Sequence, residues 1–131
     1  MIISDSTGAV VVDATIPAGA YNVNTRAGWK VNGSGTAFTY INAGTIVPLP
    51  QGIKKFGIKR STKVTGLLKF SVTGKNGSYA VNTANLPLTG VIILDVPFAT
   101  TGLCGESKWP GPPNPLGTCT SVSGGNVVKC K

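Results

Sequence analysis

A chain of 131 residues is long enough to build a real core, and one domain over 1–131 is the expectation. Only 12% of residues are charged, yet 12 Lys and Arg against 4 Asp and Glu leave a formal net charge of +8, so the surface is basic. The absence of histidine removes Ser-His and Cys-His nucleophile activation, and no apolar run approaches the ~20 residues of a membrane-spanning helix.

Hydrophobic residues at 41%, broken by 18 Gly and 9 Pro, require many turns between short apolar runs. That pattern favours an all-β, antiparallel β-sandwich over helices or disorder. Residues 1–97 are expected to form the main sheet region, with 98–131 a Pro/Gly-rich, disulfide-bearing extension packed on it. The start, Met1-Ile-Ile-Ser-Asp5, lacks the basic and apolar regions of a secretory signal, which leaves a mature or excised secreted domain with an added Met equally open.

Over residues 8–16, Val10, Val12, Ala14 and Ile16 alternate with Ala9, Val11, Asp13 and Thr15, so a strand with one apolar face is expected before Pro17. This terminal strand pairs within its own domain or adds to a neighbour's open edge. Tyr21-Asn-Val23 is a short strand. Residues 28–31 and 36–41 form a hairpin across Asn32-Gly33, with Trp29, Phe38 and Tyr40 on one face. Further on, Phe56 and Ile58 point one way and Lys55, Gly57 and Lys59 the other. Leu68, Phe70 and Val72 alternate with Lys69, Ser71 and Thr73, and a turn at Asn76-Gly77 is expected to return the chain as a hairpin strand over 78–81. Residues 82–90 read as a loop, and 91–96 as a central strand covered on both faces.

Beyond Phe98 the chain carries Cys104, Cys119 and Cys130, a proline-rich stretch over 108–117 expected to be extended, and two short strands at 118–122 and 126–130. Three cysteines without Cys-x-x-Cys spacing point to a disulfide in an oxidising compartment rather than to zinc. The favoured pairing is Cys119 with Cys104 or Cys130, the odd thiol being free or bonded to another chain.

The residues Gly28-Trp29-Lys30, Gly35-Thr36, Phe38, Tyr40, Lys69-Phe70, Gly74-Lys-Asn-Gly-Ser-Tyr79 and Leu86-Pro87-Leu88 lead to a tail running from Cys104-Gly105-Glu106 through Cys119 to Lys129-Cys130-Lys131. Together they resemble an uncharacterised β-rich C-terminal module of large secreted proteins of environmental bacteria. The likeness covers roughly residues 28–131, with the Cys-Gly-Glu to Lys-Cys-Lys tail its most distinctive piece. It implies export and an accessory role and transfers no catalytic residue. The part before Gly28 has no counterpart in it.

The chemical inventory is thin. Asp5, Asp13, Asp95 and Glu106 are the acids, and no close pair suggests two-carboxylate catalysis, so a non-enzyme is expected. Neither a calcium loop nor a haem-attachment motif is present, and no cofactor is expected. Trp29, Tyr40 and Trp109 are candidate ligand-binding aromatics, with Trp109 placed in an apparent loop; packing in the core or over the disulfide is the competing role. Lys54, Lys55, Lys59, Arg60, Lys63, Lys69 and Lys75 form a basic surface whose default reading is a solvated strand face, and whose charge could attract nucleic acid, an anionic polysaccharide or a cell surface. No nucleic-acid motif accompanies them. The sequons Asn32-Gly-Ser34 and Asn76-Gly-Ser78 sit at expected turns, whose chemistry explains them without glycans.

The chain is therefore expected to be an exported, non-catalytic adhesion, assembly or structural β-domain at the cell surface. A carbohydrate-binding module using exposed aromatics and a filament subunit that exchanges its N-terminal strand are the alternatives. Self-assembly or a cell-surface polysaccharide is the expected partner.

Overall fold

The computed structural model describes residues 1–75, 77–94, 104–109, 119–122 and 127–130. In chain order the strands are β1 (Ile2–Ser4), β2 (Val10–Asp13), β3 (Ala27–Val31), β4 (Ala37–Asn42), β5 (Ile53–Arg60), β6 (Leu68–Gly74), β7 (Leu88–Ile93), β8 (Cys104–Trp109), β9 (Cys119–Val122) and β10 (Val127–Cys130). They form two four-stranded sheets, ordered β2-β1-β7-β8 and β3-β4-β5-β6, and a two-stranded β9-β10 ladder. All the ladders are antiparallel. The all-β expectation holds, and the two sheets are consistent with a β-sandwich. The chain divides into two compact units, one of Met1–Ala14 with Ser78–Lys131 and one of Thr15–Gly77, and each holds one four-stranded sheet.

In the first unit the central strands are β1 and β7. Strand β7 begins at Leu88, inside the stretch expected as a loop, and its burial alternates through Leu88, Gly90 and Ile92. It is thus central yet closely covered on one face only. The expected N-terminal strand is β2, with Val12 and Ala14 buried as anticipated, whereas Val10 is exposed where the register with β1 slips between Ile3 and Ser4. Strand β1 itself carries no alternation in its three residues and is held by β2 on one side and β7 on the other.

The turn between β1 and β2 is organised by Asp5. Its Oδ1 accepts from the Thr7 amide at 2.9 Å, the Thr7 hydroxyl at 2.6 Å and the Ala9 amide at 3.1 Å, while Oδ2 accepts from Asn85 Nδ2 at 2.9 Å. The Ser6 amide donates to the Asn85 carbonyl, so two contacts tie the start of the chain to a segment 80 residues later. Four accepted hydrogen bonds explain how a buried carboxylate is tolerated here.

The second unit is a meander of β3 to β6. Its first turn follows the sequence closely: the Asn32 carbonyl accepts from Gly35, and Asn32 Oδ1 accepts from the Thr36 and Ala37 amides. Asn32 Nδ2 meets the Ser34 and Thr36 hydroxyls, so this sequon asparagine is engaged on both ends of its amide. The segment ahead of β3 makes two isolated bridges, Ala20 to Trp29 and Asn22 to Ala27, in place of a full strand at 21–23. Gly28 permits that approach: its φ is 123°, and a Cβ there would stand 2.5 Å from the Ala20 carbonyl oxygen.

The hairpin expected between 68–73 and 78–81 does not form. Strand β6 instead pairs over its whole length with the preceding β5, and 78–81 carries no strand. The reversal is made at 61–67, where Ser61 Oγ accepts from the Lys63 and Val64 amides and the Ser61 amide donates to the Leu67 carbonyl. A long partner already adjacent in sequence outcompetes a four-residue return strand. Asn76, the first residue of the expected turn, lies outside the described residues.

The buried apolar residues of this unit are Ala27, Tyr40, Ile53 and Phe56. Trp29 packs at 5.8 Å from Tyr40 and edge-on at 6.0 Å from Phe56, centroid to centroid. Tyr40 is 1% exposed, and its hydroxyl makes no hydrogen bond among the described residues. Tyr40→Phe is therefore expected to hold or raise stability, whereas Tyr40→Ala loses about 3–5 kcal/mol. Chemical denaturation of both variants checks this; a loss above about 1 kcal/mol in the Phe variant would mean the hydroxyl is bonded.

Candidate functional site

The register of β3 to β6 sorts side chains onto two faces, because residues directly opposite in a ladder share a face and neighbours along a strand do not. The row Trp29, Tyr40, Phe56, Val72 and the row Val31, Phe38, Ile58, Phe70 lie on one face. The other face carries the row Lys30, Thr39, Gly57, Ser71, flanked by Gly28, Ile41, Lys55, Thr73 on one side and Ala37, Lys59, Lys69 on the other. One face is aromatic and the other cationic.

Lys30, Lys55, Lys59 and Lys69 on this second face are all exposed. Lys59 and Lys69 stand directly opposite each other, an arrangement that repels. The Lys30 ammonium lies 3.9 Å above the Tyr21 ring. A bulge between Ile53 and Lys55 switches the side-chain alternation, so that Ile53 is buried and Lys55 still faces solvent.

Charge is divided unequally between the units. Nine of the 12 basic residues and none of the four acidic ones belong to Thr15–Gly77. Arg26 and Lys30 join the seven expected from the sequence, Lys54, Lys55, Lys59, Arg60, Lys63, Lys69 and Lys75, all nine being exposed. Only some of these share a surface: Arg60 belongs with the aromatic face, opposite Leu68, and Lys63 lies in the 61–67 turn. In the first unit Lys108 meets Glu106 at 3.8 Å, the one ion pair among the described residues.

Of the aromatic candidates, Trp29 and Tyr40 pack against each other in one unit and Trp109 belongs to the other. Tyr40 is buried and presents no ring face to a ligand, and Trp29 is half-buried with its indole nitrogen donating to the Pro17 carbonyl at 2.8 Å. Trp109 belongs to the other unit and, contrary to the loop expectation, ends strand β8 opposite Leu88. The polar run Cys104-Gly-Glu-Ser-Lys-Trp109 shows no apolar alternation; the ladder with β7 makes it a strand.

Cys104 is an exposed free thiol. Strands β9 and β10 occur where expected, and their register places Cys130 opposite Cys119. The proline-rich stretch beyond Trp109 and Asp95 lie outside the described residues. Among the described residues no three metal-capable side chains gather, and no helix is long and apolar enough to cross a membrane.

Comparison with family models, with curated proteins and with solved structures finds no match to this chain.

Hydrogen bonds from Thr7 and Asn85 hold the Asp5 carboxyl below its usual range against the opposing effect of burial. A depressed folded-state value means that Asp5 adds stability at pH values above its unfolded pKa of ~3.9, and that this contribution disappears as pH falls through the lower folded value. Asp5→Asn is expected to remove that part of the acid-side loss. Denaturation midpoints of both proteins between about pH 6 and pH 2 check it; parallel acid-side slopes would contradict the linkage.

Proposed function

We propose that this chain is a non-catalytic, extracellular β-domain acting by surface contact, in adhesion, assembly or a structural role. The observation that carries this reading is the exposed lysine face on a unit that contains no acid. Catalysis requires convergent titratable groups, and function here rests instead on a broad, regular surface. Carbohydrate binding through aromatics rests now on Trp109 at the end of β8, since Tyr40 is buried.

An extracellular setting agrees with a Cys119–Cys130 disulfide. Residues directly opposite in an antiparallel ladder have Cα atoms about 4.5–5.5 Å apart, within the range a disulfide spans. Cys104 is then the odd thiol.

Two measurements test the reading. Electron microscopy of the purified protein is expected to show filaments if assembly is the role and uniform particles if adhesion is; soluble binding to whole cells by the uniform particles is then required, and its absence would remove the adhesion role. Peptide mapping under non-reducing conditions, on protein made in an oxidising compartment, is expected to find Cys119 joined to Cys130 and Cys104 alkylated. Such a bridge stabilises by about 3 kcal/mol on the chain-entropy model, whereas three alkylated thiols would refute it.

A further inference from the structure

We propose that the lysine face of the β3-β4-β5-β6 sheet binds a linear anionic polysaccharide, carboxylated or sulfated, an inference that rests on the surface-contact reading and names its partner. The middle of this face is shallow. Gly57 contributes no side chain, and the Ser71 hydroxyl fills its place so closely that a Cβ at 57 would stand 2.8 Å from Ser71 Oγ. Thr39 and Ser71 flank Gly57 in the same row. Lys55 lies to one side and the Lys59 and Lys69 pair to the other. Four residues of extended strand separate Lys55 from Lys59, about 14 Å.

A floor of hydroxyls bordered by ammonium groups matches a chain of sugar rings, which supplies its own hydroxyls for hydrogen bonding and repeated anionic groups for charge pairing. Lys59 and Lys69 repel each other across the ladder, and no acid in this unit relieves them, so an external polyanion removes a cost that the free protein carries. A second copy of the same face brings only like charge.

Nucleic acid is the less suited polyanion. Trp29, Tyr40, Phe56, Phe38 and Phe70 all lie on the opposite face, and the Tyr21 ring beside this one already lies under the Lys30 ammonium rather than open to a base. The cations of this face are all lysine, without the planar arginine fork that reads guanine or grips phosphate in two places.

The test titrates the full chain with polygalacturonate, dextran sulfate, neutral dextran and a short DNA duplex, using calorimetry at low and moderate salt. At least one of the two anionic polysaccharides is expected to bind, with neutral dextran silent, and binding should weaken on the order of tenfold between about 50 and 200 mM salt. Replacing Lys30, Lys55, Lys59 and Lys69 together by Gln is expected to abolish binding. Replacing Arg60 and Lys63, which stand on the aromatic face and in the 61–67 turn, by Gln leaves most of it. If the fourfold variant fails to fold by circular dichroism, the Lys59→Gln, Lys69→Gln double variant gives the same decision through a weaker loss.

Equal losses in the on-face and off-face variants would reduce the effect to net charge and overturn the proposed face. Tighter binding of duplex DNA than of either polysaccharide would overturn the partner. A protein that adheres to cells or assembles, yet ignores both polysaccharides, would sink this inference alone and leave the surface-contact reading standing.

Discussion

The pleat of β3 to β6 is the constraint from which the rest of the second unit follows. Antiparallel register puts Trp29, Tyr40 and Phe56 side by side, and their mutual packing at 5.8 and 6.0 Å gives that row a reason to be withdrawn from water, while Val31 and Phe38 in the next row stay exposed. With the aromatic rows committed to one side, every alternate residue must point the other way. Lys30, Lys55, Lys59 and Lys69 are displayed together because the rings between them are packed. A slip of β5 by one residue would turn Lys55 and Lys59 inward and Phe56 outward, so the same packing that stabilises the sheet also maintains its cationic face.

The two units differ in their charged groups. In the first, Asp5 accepts four hydrogen bonds and joins the N-terminal turn to Asn85, and Glu106 is paired with Lys108. The second carries nine cations with no acid of its own. Charges compensated within a unit serve its architecture, while charges left uncompensated and exposed raise the local potential toward an outside partner. That contrast is the main physical support for a contact role.

Much of this was legible in the chain itself. The alternation over 55–59 and 68–73 predicted which side chains share a face, and Asn32-Gly33 marked its turn, because both signals are local. The short strands at the C-terminal end were visible for the same reason. Other features carried no local signal. Strand β8, a polar run, owes its existence to β7 beside it, and β1 is too short for a period to show. The hairpin mistaken at Asn76-Gly77 had a plausible turn but a weaker partner than β5, and the Ser61 hydroxyl that shapes the true reversal is one of many serines in the chain.

By itself the sequence determined the class of fold, the excess of positive charge and the poverty of catalytic side chains, since each depends on composition or on a period of two. Only the tertiary structure decided which lysines stand together, that Tyr40 is buried rather than offered to a ligand, and that Cys130 lies opposite Cys119. Those facts depend on register between strands, and register is set by the competition among distant partners for hydrogen-bonded edges and buried area, which no short stretch of sequence contains.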